Sequence, residues 1–199
     1  MTEADGLRLT ALVCSRLCHD LVGPAGAVAN GLELMAEPAM AGEALKLTRS
    51  TSAQLNRRLA FYRRAYGTGD KLTWAEAGEL ARGLLQGGRH ELEWRGEAAG
   101  AGAAAVRLTL NMLLCAVDAT PMGARLSVTG EPMPRVAAEG QVRNPDALRA
   151  AIADPLAAMG ETSPRDAQPF LTARLAAASG WKLGLESQDD EHLVLALAT

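Results

Sequence analysis

His19 and Asp20 stand side by side in Ser15-Arg16-Leu17-Cys18-His19-Asp20-Leu21-Val22-Gly23-Pro24, inside a long apolar-periodic segment. An imidazole can accept and release a phosphoryl group or a proton near neutral pH. A neighbouring carboxylate can hold the proton of one ring nitrogen and leave the other nucleophilic. Taken alone, the pair fits the substrate histidine of a kinase, a histidine that relays phosphoryl groups, or a solvated surface pair. His90 and His192 border predicted strands without a partner cluster and read as structural. Cys14, Cys18 and His19 lack the fourth ligand that structural zinc requires, so no metal site is expected.

At 100° per residue, Ser15, Arg16, Val22, Gly23, Gly26 and Asn30 share the helix face of His19. Each glycine costs a helix roughly 1 kcal/mol relative to alanine. What the two supply is bare backbone, over which another protein's surface can approach the imidazole. These six residues are the expected partner-binding stripe. Arg57, Arg58, Arg63 and Arg64 lie opposite His19 if the intervening turn centres near residue 40. Arg57 and Arg64, pointing away from the seam, are the cations expected to steady a phosphoryl group or meet an acidic partner.

The elements that must position these residues follow from periodicity. Apolar or small residues recur at 11, 14, 18, 21, 25, 28, 32 and 35, the spacing of a bundle seam. Pro24 is expected to bend this helix without ending it. A second helix, Glu43 to Tyr66, carries the seam Leu45, Thr48, Ser52, Leu55, Leu59, Tyr62 and Tyr66. Two such helices cannot bury a seam by themselves, which predicts dimerisation into a four-helix bundle. Beyond Lys71 the texture is mixed: helices over Trp74–Gln86, Val106–Ala119, Asn144–Met159 and Ala167–Ser179, with Asn144 as an N-cap. Strands are predicted over Glu91–Arg95, Arg125–Thr129, Arg135–Ala138, Lys182–Ser187 and His192–Ala198, and a small-residue loop over Ala98–Ala105. The class is α+β, with a helical hairpin over 1–67 and a two-layer α/β module over 68–199.

Composition narrows the function classes. The 199 residues are 48% apolar and 22% charged, and the net charge of -3 leaves no electrostatic footprint for nucleic acid. No apolar run approaches the ~20 residues that cross a bilayer, and the N-terminus has no signal-type core. Three cysteines make no disulfide framework and read as buried thiols. A soluble, cytoplasmic protein is expected.

Leu17-Cys18-His19-Asp20, Gly23-Pro24 and Asn30-Gly31-Leu32-Glu33-Leu34 together resemble the alphaproteobacterial ChpT-type histidine phosphotransferases. The likeness extends over essentially the whole chain, as a histidine hairpin followed by a module like the ATP-binding domain of sensor kinases. It implies a homodimer in which His19, assisted by Asp20, relays phosphoryl groups between receiver-domain aspartates. A hybrid histidine kinase would be the donor, and response regulators controlling the cell cycle the acceptors. Where active kinases carry a second, Mg²⁺-binding Asn, the helix Asn111-Met-Leu-Leu-Cys-Ala-Val-Asp118 has Cys115, a poor ligand for that ion. The Asp-x-Gly-x-Gly box is missing, with Ala137-Ala138-Glu139-Gly140-Gln141 its nearest relic, and no Gly-x-Gly-Leu-Gly run precedes Ala167. No cofactor is therefore expected on this chain, Mg²⁺ belonging to the partner receiver. The alternatives are an ATP-dependent histidine kinase with a divergent nucleotide site and a non-catalytic scaffold that binds receivers.

Overall fold

Apolar residues three and four apart wind the first third of the chain into a hairpin of two helices, α1 (Glu3–Leu34) and α2 (Ala41–Tyr66). The computed structural model describes residues 3–69, 71–98, 102–143, 145–155 and 162–198. Helix α1 continues through Pro24. Near the tip, Gly31 is buried, and a side chain there would collide with Thr48 Oγ1. The bare backbone lets the two helices approach, while the Thr48 hydroxyl is satisfied by Ala44 O at 2.8 Å. On the outer face the seam is uncovered in the single chain: Leu32, Leu45 and Leu59 are exposed, as are Cys14 and Cys18. The expected burial of all three cysteines therefore holds for Cys115 alone in the single chain.

The module follows as α3 (Trp74–Leu85), β1 (Glu91–Arg95), α4 (Ala103–Ala119), β2 (Arg125–Thr129), β3 (Arg135–Glu139) and α5 (Asp146–Ala153). A short 3₁₀ turn (Pro164–Asp166) then leads to α6 (Ala167–Ala178), β4 (Lys182–Gln188) and β5 (His192–Ala198). The sheet order is β1-β2-β3-β5-β4. Among the described strands only β1 and β2 run parallel, a pairing that needs the crossover connection α4 supplies; the remaining pairs are antiparallel. Leu126, Val128, Val136, Ala138, Leu193 and Leu195 alternate onto one face and are buried. Against that layer lies α4, buried along nearly its whole length.

Two boundaries differ from the sequence reading by more than two residues. Helix α4 begins at Ala103, inside the expected loop. Helix α5 stops at Ala153, where Pro155 removes a donor and biases Asp154 to the extended backbone it adopts. Asn144 lies outside the described residues, as do 156–161.

Hairpin and module share one apolar core, in which Leu9, Phe61, Tyr62 and Ala65 join Leu110 and Leu113. A buried polar network crosses the same junction. Asn111 Nδ2 donates to Ala65 O (2.8 Å) and Arg107 O (3.0 Å), and Asn111 Oδ1 accepts from Gln168 Nε2 (2.9 Å). Tyr66 O–H donates to Gln168 Oε1 at 2.6 Å. Thr172 donates to Gln168 O at 2.8 Å, so the Cys115 thiol, 3.3 Å away, is the donor to the Thr172 hydroxyl. The amide of Asn111 has no hydrogen-bonding capacity left for a further ligand through its nitrogen.

Candidate active site

Helix α1 holds His19 outward, with its side chain 75% exposed and Nδ1 3.5 Å from Asp20 Oδ1. Asp20 itself is held in place. Its Oδ2 accepts the Tyr62 hydroxyl from α2 at 2.8 Å, and its main-chain carbonyl accepts Arg58 NH1 at 2.9 Å. Burial, the Asp20 charge and this hydrogen bond together push the Tyr62 phenol well above its ordinary pKa, so it remains a donor. The tautomer with Nδ1–H directed at Asp20 leaves the Nε2 lone pair free. That is the arrangement of a nucleophile oriented by a fixed carboxylate.

His19 stands on the rim of a cleft of about 890 Å³ between the hairpin and the module. Arg16, Arg58, Arg143 and Arg165 line it together with Asp20, Asp118 and Asp166, so the charges on its walls nearly balance. In its depth, Arg16 forms a two-pronged bond to Asp118, NH1 to Oδ2 at 2.5 Å and NH2 to Oδ1 at 2.9 Å. Burial would lower the Arg16 guanidinium, but the attraction and hydrogen bonds of Asp118 outweigh it and hold the group above its ordinary value. Solvent reaches Asp118 through the cleft, leaving its side chain 35% exposed. The protein around it still pushes its carboxyl upward, against the pull of Arg16. His90 Nε2 lies 2.9 Å from Thr120 O, and its partial burial lowers its pKa.

A family model, the histidine phosphotransferase C-terminal domain, matches residues 74–191, the greater part of the chain. The chain belongs to the histidine phosphotransferases. Among curated relatives, this phosphotransferase is 36% identical over 128 residues to the protein phosphotransferase ChpT of Brucella abortus (strain 2308), a match covering 62% of this chain. The aligned part spans 61% of that relative's length. A solved bacterial phosphotransferase superposes with a TM-score of 0.79 at 29% identity, over 100% of this chain and 98% of the other.

Within this histidine phosphotransferase, the sequence-derived stripe divides. Ser15 lines the cleft, and Val22, Gly23, Gly26 and Asn30 are exposed along α1. A Cβ at Gly23 or Gly26 would meet nothing within 4 Å. Arg16 does not belong to that open stripe: it turns inward and is buried against Asp118, because the module covers that edge of the helix. Arg57 Nε donates to Gly83 O at 3.1 Å and Arg64 NH1 to Lys71 O at 3.2 Å. Neither lines the cleft beside His19; Arg58 does. Sequence reasoning assigned Tyr62 only to the seam and gave Asp118 no role. For Tyr62 a signal existed, a polar-tipped residue on the seam opposite position 19.

Asn111 and Cys115, on α4, are not arranged to hold a Mg²⁺ ion. Asn111 is occupied in the junction network, and burial raises the Cys115 thiol to about 12, keeping it neutral. Among the described residues, no group of three or more His, Cys, Asp or Glu could hold a metal ion. No described helix is long and apolar enough to cross a membrane.

Proposed function

We propose that this chain is a homodimeric, cytoplasmic phosphorelay intermediate that passes phosphoryl groups between receiver-domain aspartates through His19. One observation carries the reading: Asp20, held by Tyr62 and Arg58, faces Nδ1 of a histidine that is otherwise open to approach. A donor receiver settles on the bare stripe of Val22, Gly23, Gly26 and Asn30. Nε2 attacks the phosphorus of its aspartyl phosphate in line, the bond from phosphorus to the carboxylate oxygen breaks, and the aspartate leaves as a carboxylate. The Nδ1 proton stays, and Asp20 stabilises the cationic ring that forms. The phosphohistidine then passes its phosphoryl group to the aspartate of a second receiver. Mg²⁺ bound by each receiver supplies charge neutralisation on the transferring group. The uncovered apolar seam supports a dimer, and the belonging of residues 74–191 to the phosphotransferase family supports the chemistry.

The test uses a receiver domain carrying a radiolabelled aspartyl phosphate. Label should pass to the wild-type chain and on to an unlabelled receiver, while His19→Gln acquires none. Labelling of the H19Q chain, or robust labelling of the wild type from ATP and Mg²⁺ without any receiver, overturns the relay.

A further inference from the structure

Arg16 is buried, and a buried guanidinium requires a carboxylate. Two are in reach. Asp118, 102 positions along the chain, takes both terminal nitrogens; Asp20, one helical turn along α1, lies with Oδ2 3.8 Å from Nε. That Nε is buried without a hydrogen-bond partner, a donor directed at Asp20 but stopped short of it. The same Oδ2 is the atom that Tyr62 holds, and the other oxygen of Asp20 faces His19.

We infer that Asp118 is a positioning residue for phosphotransfer: by engaging both ends of the Arg16 fork, it keeps that guanidinium from capturing Asp20. The inference rests on the relay reading. If the Asp118 charge is lost, Arg16 keeps the Arg165 carbonyl, 3.4 Å from NH1, and Asp20, four residues along its own helix, is the carboxylate already within 4 Å of it. Closing onto that carboxylate draws Asp20 away from the imidazole and ties up the lone pairs that orient Nδ1–H. The module thus acts on the chemistry of α1 without touching the reacting atoms. Asp118 satisfies a cation that would otherwise compete with His19 for the Asp20 carboxylate.

The experiment measures receiver-to-histidine transfer for the wild type, D118N, R16M, R16M/D118N, D20N and H19Q in the full chain. D118N should slow transfer about ten-fold at saturating donor, less than the ~10²–10⁴-fold that loss of an acid–base group costs, because Asp20 is displaced and not removed, while half-saturating donor concentration stays within about two-fold. Removing the captor should restore it, with R16M/D118N returning to within about three-fold of wild type. Nitrogen NMR of His19 should report the Nδ1–H tautomer in the wild type and a mixture of tautomers in D118N. Wild-type rates in D118N, or a double variant as slow as D118N, overturn the proposal. So does an R16M chain that transfers as slowly as Asp20→Asn, a comparison that stands even if D118N does not fold. Transfer by H19Q would overturn the relay reading itself, whereas an inactive H19Q beside a fast D118N sinks this inference alone.

Discussion

A carboxylate orients an imidazole only if it is itself held still, and Asp20 is held by a phenol, an arginine at its carbonyl and the helix beneath it. Tyr62 and Tyr66, the only tyrosines in the chain, both retain their protons beyond the ordinary tyrosine range. Burial is the leading cause for each; Asp20 reinforces it at Tyr62, and at Tyr66 the charge of Arg16 opposes it. Because the folded values are raised, both groups contribute fully below the unfolded value of about 10. Above that pH the unfolded chain releases protons that the native chain keeps, so stability falls as pH rises. Urea unfolding across this range should show the decline, with tyrosinate absorbance appearing together with unfolding; tyrosinate in a still-folded chain near pH 10 would remove the argument. The His19–Asp20 pair was legible because its members are neighbours in sequence. Arg16–Asp118 and Asn111–Gln168 were not, since a helical projection gives direction around an axis and says nothing of what covers it.

At the scale of elements, three glycines on α1 have opposite meanings. Gly31 faces Thr48 where the helices nearly touch, while Gly23 and Gly26 face open space. Gly31→Ala should cost about 1–3 kcal/mol through overpacking of the hairpin tip. Gly26→Ala should gain roughly 0.5–1 kcal/mol, because alanine suits a helix better than glycine. Thermal melts check both signs, and Gly26→Ala should transfer more slowly despite its higher melting point if receivers lie against that stripe. Helical projection puts Gly23 and Gly26 on the His19 face, but that Gly31 meets Thr48 is decided by the neighbouring helix. The strands, by contrast, were readable to within a residue, and β2 and β3 alternate cleanly between a buried and an open face. The α5 boundary was misread because its apolar periodicity runs on past the Asp154–Pro155 stop.

At the scale of the whole molecule, the uncovered seam is what a second copy covers on the dimer reading. Leu32, Leu45 and Leu59 present exposed apolar surface along the outer hairpin. Leu59→Asp should therefore give a particle of the 20.8 kDa chain mass in sedimentation equilibrium, where the wild type should give twice that mass; a wild-type monomer would count against the dimer. The bare stripe around Gly23 and Gly26 has a further consequence on the phosphotransfer reading. Backbone without side chains offers a visitor few groups by which to be told apart from another. Donor and acceptor then compete for the same landing place beside the same histidine, and neither is held there by much that is its own. Traffic through such a crossroads follows supply: whichever receiver is more abundant and more heavily phosphorylated loads His19, and whichever is emptier unloads it. Direction becomes a property of the cell's receiver pool, set by mass action and reversible when that pool changes.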